Sequence, residues 1–271
     1  MICFPNAKIN IGLEVIRKRE DNYHDLETVF YPVPLSDILE MIPSTRTHLT
    51  ITGLDINDTP GDNLVLKAYH LLKDTYDLPP VEFHLHKIIP AGAGLGGGSS
   101  DAAFTLTGLN DLFQLNIEKQ TLLEYSSRLG SDCAFFILNY PVFAEGKGNI
   151  FSNIEMNLRD YFLVLVKPSF AVSTAQAYGG IKPSIPDISL LQAIKNPATY
   201  WKDQIYNQFE KTVFNLFPEI EEIKKSLYNN GAIYASMSGS GSTVYGLFKE
   251  VPQNLSLQFP EYFYWEGKCQ F

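Results

Sequence analysis

The glycine-rich part of the sequence is Pro90-Ala91-Gly92-Ala93-Gly94-Leu95-Gly96-Gly97-Gly98-Ser99-Ser100. Before it, apolar and polar residues alternate over 81–86, which predicts a half-buried strand. After it, apolar residues at spacings of three and four predict a helix over 99–112. Glycine permits positive φ and lets an anion approach backbone N–H groups, and a helix N-terminus adds donors with partial positive charge. The sequence therefore predicts a strand, a phosphate-binding loop and a helix.

Two known loop types and a purely structural turn compete with this interpretation. Gly92, Gly94 and Gly97 match G-x-G-x-x-G, but no second strand precedes Asp111, the acidic residue about twenty positions on, so dinucleotide binding lacks support. A Walker A loop needs Gly-Lys followed by Ser or Thr, whereas the corresponding positions here hold glycine and serine. A purely structural turn is disfavoured because so many glycines cost conformational entropy.

Composition indicates a folded enzyme-sized chain and excludes several classes of protein. The 271 residues, 45% of them hydrophobic, are enough for two domains, for which we expect the ranges 1–150 and 151–271. The net charge of -9 disfavours a nucleic-acid partner. Three widely separated cysteines fit a reducing compartment, and no signal peptide or apolar run of spanning length is present. We therefore expect a cytoplasmic protein without a membrane partner.

The secondary structure predicted from hydrophobic periodicity mixes strands and helices in both halves of the chain. The predicted strands are 10–16, 29–39, 49–52, 161–166 and 243–248, and the further predicted helices are 62–74, 118–129, 204–217 and 218–228. The helix over 118–129 ends at Gly130, so Ser131 and Asp132 are predicted to lie in the turn before Cys133.

Three motifs in this order resemble those of the GHMP small-molecule kinases. They are Pro5-Asn6-Ala7-Lys8-Ile9-Asn10-Ile11-Gly12-Leu13, the glycine-rich stretch continued by Asp101-Ala102-Ala103, and Ser236-Met237-Ser238-Gly239-Ser240-Gly241-Ser242-Thr243. The motifs together span nearly the whole chain. The resemblance implies an α+β protein with an S5-like N-terminal domain, a ferredoxin-like C-terminal domain and an active site in the cleft between them.

Two further segments resemble one branch of that family. Asp21-Asn22-Tyr23-His24-Asp25-Leu26-Glu27-Thr28 and Leu129-Gly130-Ser131-Asp132 are similar to segments of the branch whose acceptor carries a cytidine diphosphate group. The resemblance implies a kinase that uses ATP, with Mg²⁺ carried by the nucleotide. No carboxylate cluster marks a dedicated protein metal site, and whether Ser99, Ser100 or Asp132 touches the Mg²⁺ stays open. A kinase of the homoserine or mevalonate type, or a non-catalytic nucleotide-binding protein, remains an alternative at this stage, and the oligomeric state stays open.

The resemblance implies two catalytic residues, Lys8 and Asp132. A carboxylate within hydrogen-bond reach of an alcohol can remove its proton, although Asp132 is also placed to cap the chain after Gly130. The Lys8 ammonium can stabilise an alkoxide or keep the aspartate ionised, whereas its structural alternative is a lysine whose head reaches solvent from a strand edge. Asn10 lies on the same strand face as Lys8 and can orient the acceptor.

The resemblance places the two nucleobases on different segments. All residues from Pro90 to Ser100 are expected to bind ATP, together with Asn63 and Leu64 on the adenine side, although Asn63 is equally suited to cap a helix. For cytosine we expect stacking by Tyr23 and hydrogen bonding by His24. Tyr178 is a candidate for the second stacking ring, with a core position as its alternative.

Three positions depart from common patterns. Asn22 stands where the branch commonly has glycine, which a tight turn tolerates. Cys133-Ala134 replaces a common Val-Pro after the expected catalytic aspartate, and the loss of that proline affects how the segment aims Asp132.

His84 and His86 share a strand face but lack a third ligand at metal-binding spacing, so no metal site is expected there.

Overall fold

The structure is a computed structural model that describes residues 1–55 and 62–271. Its helices and strands in chain order are β1 Ile2–Cys3, β2 Asn6–Lys18, β3 His24–Ser36, β4 Ile38–Pro43, β5 His48–Gly53, α1 Leu64–Tyr76, β6 Val81–Lys87, α2 Gly97–Leu112, α3 Lys119–Ser127, α4 Cys133–Leu138, β7 Val142–Glu145, β8 Ile150–Asn153, β9 Phe162–Lys167, α5 Thr174–Tyr178, α6 Leu190–Ala193, α7 Phe209–Leu216, α8 Pro218–Asn229, β10 Tyr234–Met237, β11 Val244–Phe248 and β12 Phe263–Lys268. Two 3₁₀ turns cover Ala198–Asp203 and Leu255–Gln258. The predicted α+β class is confirmed.

The chain divides into two compact units that interleave along the sequence. The first unit comprises Met1–Ala7, Leu35–Ala91 and Gly96–Tyr140, and the second comprises Lys8–Pro34, Gly92–Leu95 and Pro141–Phe271. The domain boundary near residue 150 stays a prediction.

The first unit combines one four-stranded sheet with helices α1 to α4. Its strand order is β1-β4-β6-β5, in which β5 and β6 are parallel and the other neighbours are antiparallel. The parallel pair is joined by a crossover that contains α1, as parallel strands require. Helix α1 packs on α2, which in turn packs on α4. The strand β6, the glycine loop and the helix α2 follow one another as predicted.

The second unit contains two four-stranded sheets and helices α5 to α8. One sheet has the order β2-β3-β7-β8, and the other, entirely antiparallel, has the order β10-β11-β9-β12. A continuous apolar core joins side chains from both sheets, including Leu13 and Val15 of β2 and Val164 and Val166 of β9. Burial of these side chains is the main source of the unit's stability.

Two predicted elements differ from the structure for identifiable reasons. The strand predicted over 29–39 is divided at Asp37, whose buried carboxylate accepts hydrogen bonds from the N–H groups of Ile88 (2.6 Å) and Ile89 (2.8 Å). The helix predicted over 204–217 begins only at Phe209, because Asn207 pairs with Leu13 in a β-bridge and its side chain accepts from the Phe209 N–H at 3.0 Å. In both cases a polar side chain with a distant partner overrides local periodicity.

Candidate active site

Lys8 lies in the interior of the second unit on strand β2. Only 3% of its surface is exposed. Its ammonium donates to Asn10 Oδ1 at 2.6 Å and to the Gly94 carbonyl at 3.0 Å, and lies 5.1 Å from the centre of the Phe30 ring. A lysine whose head reaches solvent does not have these partners, so the structural alternative for Lys8 is wrong.

Asn10 is held in one orientation by its neighbours. Its Nδ2 donates to Thr28 Oγ1 at 3.0 Å, and the Thr28 hydroxyl in turn donates to the Gly12 carbonyl at 2.6 Å. The backbone N–H of Asn10 donates to Ser238 Oγ at 3.3 Å. With the amide nitrogen fixed by Thr28, the Asn10 oxygen is left to accept from Lys8. The position of the lysine head is therefore set by a hydrogen-bond network that includes Asn10 of β2 and Thr28 of β3.

The centre of the glycine loop, Gly92–Leu95, meets the other two motifs inside the second unit. The Gly94 carbonyl accepts from Ser238 Oγ at 2.8 Å as well as from Lys8, and the Thr243 N–H donates to the Ala93 carbonyl at 3.2 Å. Gly94 has φ +74°, and a Cβ on it would lie 2.1 Å from the Ser238 carbonyl oxygen. Only glycine fits this position, and all three motifs meet around it.

Two buried polar residues support the Ser236–Thr243 motif and were missed by sequence reasoning. Asn207 Nδ2 donates to the carbonyls of Met237 (2.7 Å) and Gly239 (2.8 Å). Glu210 accepts from the Met237 N–H at 2.8 Å and pairs with Lys224 at 2.6 Å. Both residues lie in a stretch whose amphipathic pattern predicts a helix with a solvated polar face, so no local signal separates them from surface residues.

The end of the glycine loop opens helix α2 in the first unit. Gly96 occupies the N-cap position with φ +72°, and no side chain caps the helix there. The N–H groups of the first turn of an uncapped helix, together with its dipole, favour an anion. Leu64, at the start of α1, lies beside this turn, since its Cδ1 is 3.9 Å from the position of a Cβ on Gly98.

Asn63 is the N-cap of α1. Its Oδ1 accepts from the Val65 N–H at 2.9 Å, and the side chain is buried. The capping alternative considered for Asn63 is thus realised. Its Nδ2 group is not used by this cap, so the adenine contact stays a prediction beside it.

Asp132 belongs to the first unit and directly precedes α4. It occupies the N-cap position of that helix, but its side chain makes no capping hydrogen bond there, and the Ser131 hydroxyl donates to Oδ1 at 3.3 Å. The next residue, Cys133, is buried beside Ser99 of α2. Burial raises the pKa of the Cys133 thiol to about 11, so the thiol stays protonated. The segment that aims Asp132 is therefore anchored to the first turn of α2 by a buried side chain, although it lacks the common proline.

The residues expected to bind cytosine lie in the second unit, on the β2–β3 hairpin and on α5. The rings of His24 and Tyr178 stack with centroids 4.7 Å apart and an angle of 23° between their planes, and the rings of Tyr178 and Phe209 make a T-shaped contact. Tyr23 is 61% exposed, and Lys147 Nζ lies 3.9 Å from its ring centre. The structure thus brings Tyr178 to His24, while Tyr23 carries a lysine on its ring.

Neither a metal-binding group nor a membrane-spanning helix is found among the residues that the structure describes. In residues 1–55 and 62–271 no three His, Cys, Asp or Glu side chains form a group suited to a metal ion. His84 and His86 both contact the Thr52 hydroxyl, at 2.9 and 3.0 Å. No helix in the described ranges has the length and apolar character needed to cross a bilayer.

Comparison with known proteins agrees with the geometry. Residues 63–140 match the model of the GHMP kinases N terminal domain, and residues 190–264 match the GHMP kinases C terminal model. The chain is 52% identical over 270 residues to the 4-diphosphocytidyl-2-C-methyl-D-erythritol kinase of Parabacteroides distasonis, covering 99% of both chains. It is 54% identical over 263 residues to the enzyme of that name from Bacteroides fragilis, covering 96% of both.

The chain belongs to the 4-diphosphocytidyl-2-C-methyl-D-erythritol kinase branch of the GHMP kinases. A crystal structure of 4-(cytidine 5'-diphospho)-2C-methyl-D-erythritol kinase is similar to this GHMP kinase with a TM-score of 0.82 and 30% identity, covering 98% of each chain. The two-domain architecture of the GHMP kinases expected from the three motifs is thereby confirmed.

Proposed function

We propose that the protein transfers the γ-phosphoryl group of ATP to the 2-hydroxyl of 4-diphosphocytidyl-2-C-methyl-D-erythritol, in the non-mevalonate route to isoprenoid precursors. The observation that carries the proposal is the meeting of Lys8 and Ser238 on the Gly94 carbonyl, because it joins a catalytic cation to a phosphate-binding loop. The names of the relatives, at 52% and 54% identity over nearly the whole chain, supply the acceptor. We expect the enzyme to work in the cytoplasm.

Phosphoryl transfer depends mainly on positioning and on stabilising charge. We assign the phosphates of ATP to residues 90–100, where glycine backbone and the uncapped start of α2 supply N–H donors. The substrate is the complex of ATP with Mg²⁺, in which the cation neutralises part of the phosphate charge. Asn63 and Leu64 are proposed to contact adenine, and the position of Leu64 beside Gly98 supports this assignment.

We assign the proton transfer to Asp132. As the acceptor oxygen forms its bond to the γ-phosphorus, its proton passes to the carboxylate, and the bond between the γ-phosphorus and the bridging oxygen breaks to release ADP. Lys8 is proposed to stabilise the developing negative charge on the acceptor oxygen. Its fixed head supports that role, because a preorganised charge needs no reorganisation during the reaction. Asn10, which holds the lysine, is proposed to orient the acceptor.

Recognition of the cytidine end is assigned to Tyr23, His24 and Tyr178. The stacked pair of His24 and Tyr178 offers a ring edge for hydrogen bonding and a flat apolar face. Tyr23 offers a second face once Lys147 moves off its ring. We propose that cytosine stacks on Tyr23 and is hydrogen-bonded by His24, with Tyr178 as the neighbouring aromatic wall.

The proposed reaction is tested by ADP release from Mg-ATP with 4-diphosphocytidyl-2-C-methyl-D-erythritol, homoserine, mevalonate or buffer alone. We expect release with the cytidyl alcohol only, and inhibition of that release by CMP. Release with another alcohol would contradict the acceptor assignment, and no release with any of them would favour a nucleotide-binding protein without transfer activity.

The role of Asp132 is tested by Asp132→Asn in the same assay. We expect kcat to fall by roughly two or more powers of ten, because the amide cannot take the proton, while the affinity for ATP is largely kept. Asp160→Asn, at an exposed position in the second unit, is the control and should leave kcat unchanged. Near-normal turnover of Asp132→Asn would remove the residue from the role of base.

A further inference from the structure

A buried charge cluster lies in the first unit and is not used by the mechanism above. It consists of Asp37, between β3 and β4, Lys87, at the end of β6, and Asp101, in α2, each at most 4% exposed. The Lys87 ammonium donates to Asp101 Oδ2 at 2.7 Å and makes a short hydrogen bond to Asp37 Oδ2. Asp37 Oδ1 in turn accepts two backbone N–H groups.

This cluster connects the two ends of the glycine loop. Lys87 lies three residues before Pro90, where the loop begins, and Asp101 directly follows Ser100, where it ends. A Cβ on Gly97 would lie 3.4 Å from Lys87 Nζ and 2.9 Å from Ile89 Cγ2. The ammonium is therefore packed against Gly97, the first residue of α2, and a side chain on Gly97 would collide with Ile89.

Stability alone does not account for charged residues here. A buried ion pair commonly stabilises a protein no more than apolar residues of the same volume would, because removing the charges from water is costly. The cluster also contains two carboxylates for one ammonium, and Asp101 Oδ1 is buried without a hydrogen-bond partner in the described part of the chain. A cation beneath the N-terminus of a helix is moreover unfavourable with respect to the helix dipole. What the arrangement does supply is a short, directional link across the loop.

We propose that Asp101 is a positioning residue for the phosphate loop. It holds Lys87, together with Asp37, against Gly97, and so fixes the end of β6 relative to the first turn of α2. The N–H groups of that turn then point in the direction required by the phosphates before ATP arrives. This inference rests on the proposed function, in which residues 90–100 bind ATP, and it assigns to Asp101 no contact with the nucleotide.

The test compares two substitutions of the same residue by direct titration with Mg-ATP and by steady-state kinetics. Asp101→Ala removes the acceptor for Lys87, and we expect the Kd and KM for ATP to rise about tenfold or more. Asp101→Asn keeps an oxygen for Lys87, and we expect ATP affinity within about threefold of the unaltered protein. The KM for the cytidyl substrate should stay within about twofold in both variants, since no residue of the cluster belongs to the segments assigned to cytosine.

Thr105→Ala is the matched control. Thr105 is fully buried on the same helix, and its hydroxyl donates to the Asp101 carbonyl at 2.7 Å without touching Lys87. Its loss should lower the melting temperature and leave ATP affinity unchanged. If Asp101→Ala does not fold, Asp101→Ser replaces it, because serine is polar but too short to reach the ammonium, and the same tenfold weakening is expected.

The outcomes separate this inference from the function on which it rests. Unchanged ATP affinity in Asp101→Ala or Asp101→Ser would overturn the positioning role while leaving the proposed function intact. Equal weakening by Thr105→Ala, or failure of Asp101→Asn to restore affinity, would also overturn it, because the effect would then follow helix stability or charge. An unaltered protein that does not bind Mg-ATP would contradict the proposed function itself, and the inference with it.

Discussion

The glycine loop and the β2–β3 hairpin are held in their conformations in opposite ways. In the loop, the Gly94 carbonyl accepts hydrogen bonds from the side chains of Lys8 and Ser238. The surrounding backbone also leaves no space for a methyl group on the Gly94 Cα. In the hairpin, Tyr23 is mostly exposed, and the turn is held by ion pairs of Arg17 and Arg19 with Asp25, at 2.5 and 2.7 Å. One region is fixed by backbone and burial, and the other by surface side chains.

This difference indicates how the two substrates are recognised. In the proposed ATP site, the direction of the loop N–H groups is set before binding, so we expect the ordering cost of ATP binding to be small there. In the proposed cytosine site, Lys147 lies on the Tyr23 ring, so that ring must exchange the lysine for the base on binding. We therefore expect ATP binding to be sensitive to small changes of backbone, and acceptor binding to be sensitive to loss of individual side chains.

The largest effect is expected from Gly94→Ala, because the new Cβ meets the Ser238 carbonyl oxygen and the φ of +74° is unfavourable for alanine. We expect ATP affinity to fall by about a hundredfold or more, measured by titration with Mg-ATP. Gly231→Ala is the control, since Gly231 has φ +93° but nothing within 4 Å of the added Cβ. If both variants bind ATP equally well, the enclosure of Gly94 does not matter for the loop.

The next effect is expected at Asp101, whose carboxyl group is buried at the end of the glycine loop. Burial raises the pKa of Asp101 to about 7, Lys87 opposes the shift and Asp37 adds to it. Burial lowers the pKa of Lys87, but its two aspartates outweigh that effect and the net shift is upward. The folded state thus keeps a proton on Asp101 that the unfolded state loses near pH 4, so this residue's contribution to stability falls as pH rises towards 7 and is constant above it.

We therefore expect Asp101→Asn, which cannot ionise, to gain stability relative to the unaltered protein as pH rises from 5 to 8. The gain should reach roughly 2 kcal/mol and is measured as the difference in unfolding free energy at each pH. The two aspartates at the turn of the hairpin are shifted the other way, because Lys147 and the arginines Arg17 and Arg19 hold their pKa values below the usual range. A difference that is constant across this pH range would show that Asp101 is ionised throughout.

A smaller effect is expected from Tyr23→Ala. Loss of the stacking ring should raise the KM for the cytidyl substrate about tenfold and leave the KM for ATP unchanged. Tyr161→Ala is a matched control in the same unit, since Lys249 Nζ lies 3.8 Å from the Tyr161 ring centre in a comparable pair. If the KM for the cytidyl substrate does not respond to Tyr23→Ala, the cytosine assignment is wrong.

The smallest effect is expected from Arg17→Ala, which removes an exposed partner of Asp25. Arg19 also pairs with this carboxylate, and the two arginines hold the pKa of Asp25 below its usual value. Exposed ion pairs contribute little to stability, so we expect a melting temperature within about 2 °C of the unaltered protein and little dependence on salt. A larger change would mean that the hairpin is more rigid than its exposure indicates.

The sequence was sufficient for the parts of the site that are local in the chain. Strand, glycine loop and helix follow from periodicity over 81–112, and the three motifs follow from residue order. The supports could not be predicted, because each joins positions far apart: Asp37 and Lys87 are separated by 50 residues, and Asn207 and Met237 by 30. Neither pair has a periodic signature, and a lone aspartate in a strand pattern carries no information about its partner.

The burial described for Cys133 has a practical consequence for the whole molecule. Burial also raises the pKa of Cys3 and, to about 11, that of Cys269, so all three thiols of the chain are protonated at neutral pH. Thiol-reactive dyes attack the thiolate and should therefore modify the native protein slowly. A cysteine introduced on the exposed hairpin would then take up label selectively, and a change of its fluorescence on addition of the cytidyl substrate would test the proposed cytosine site.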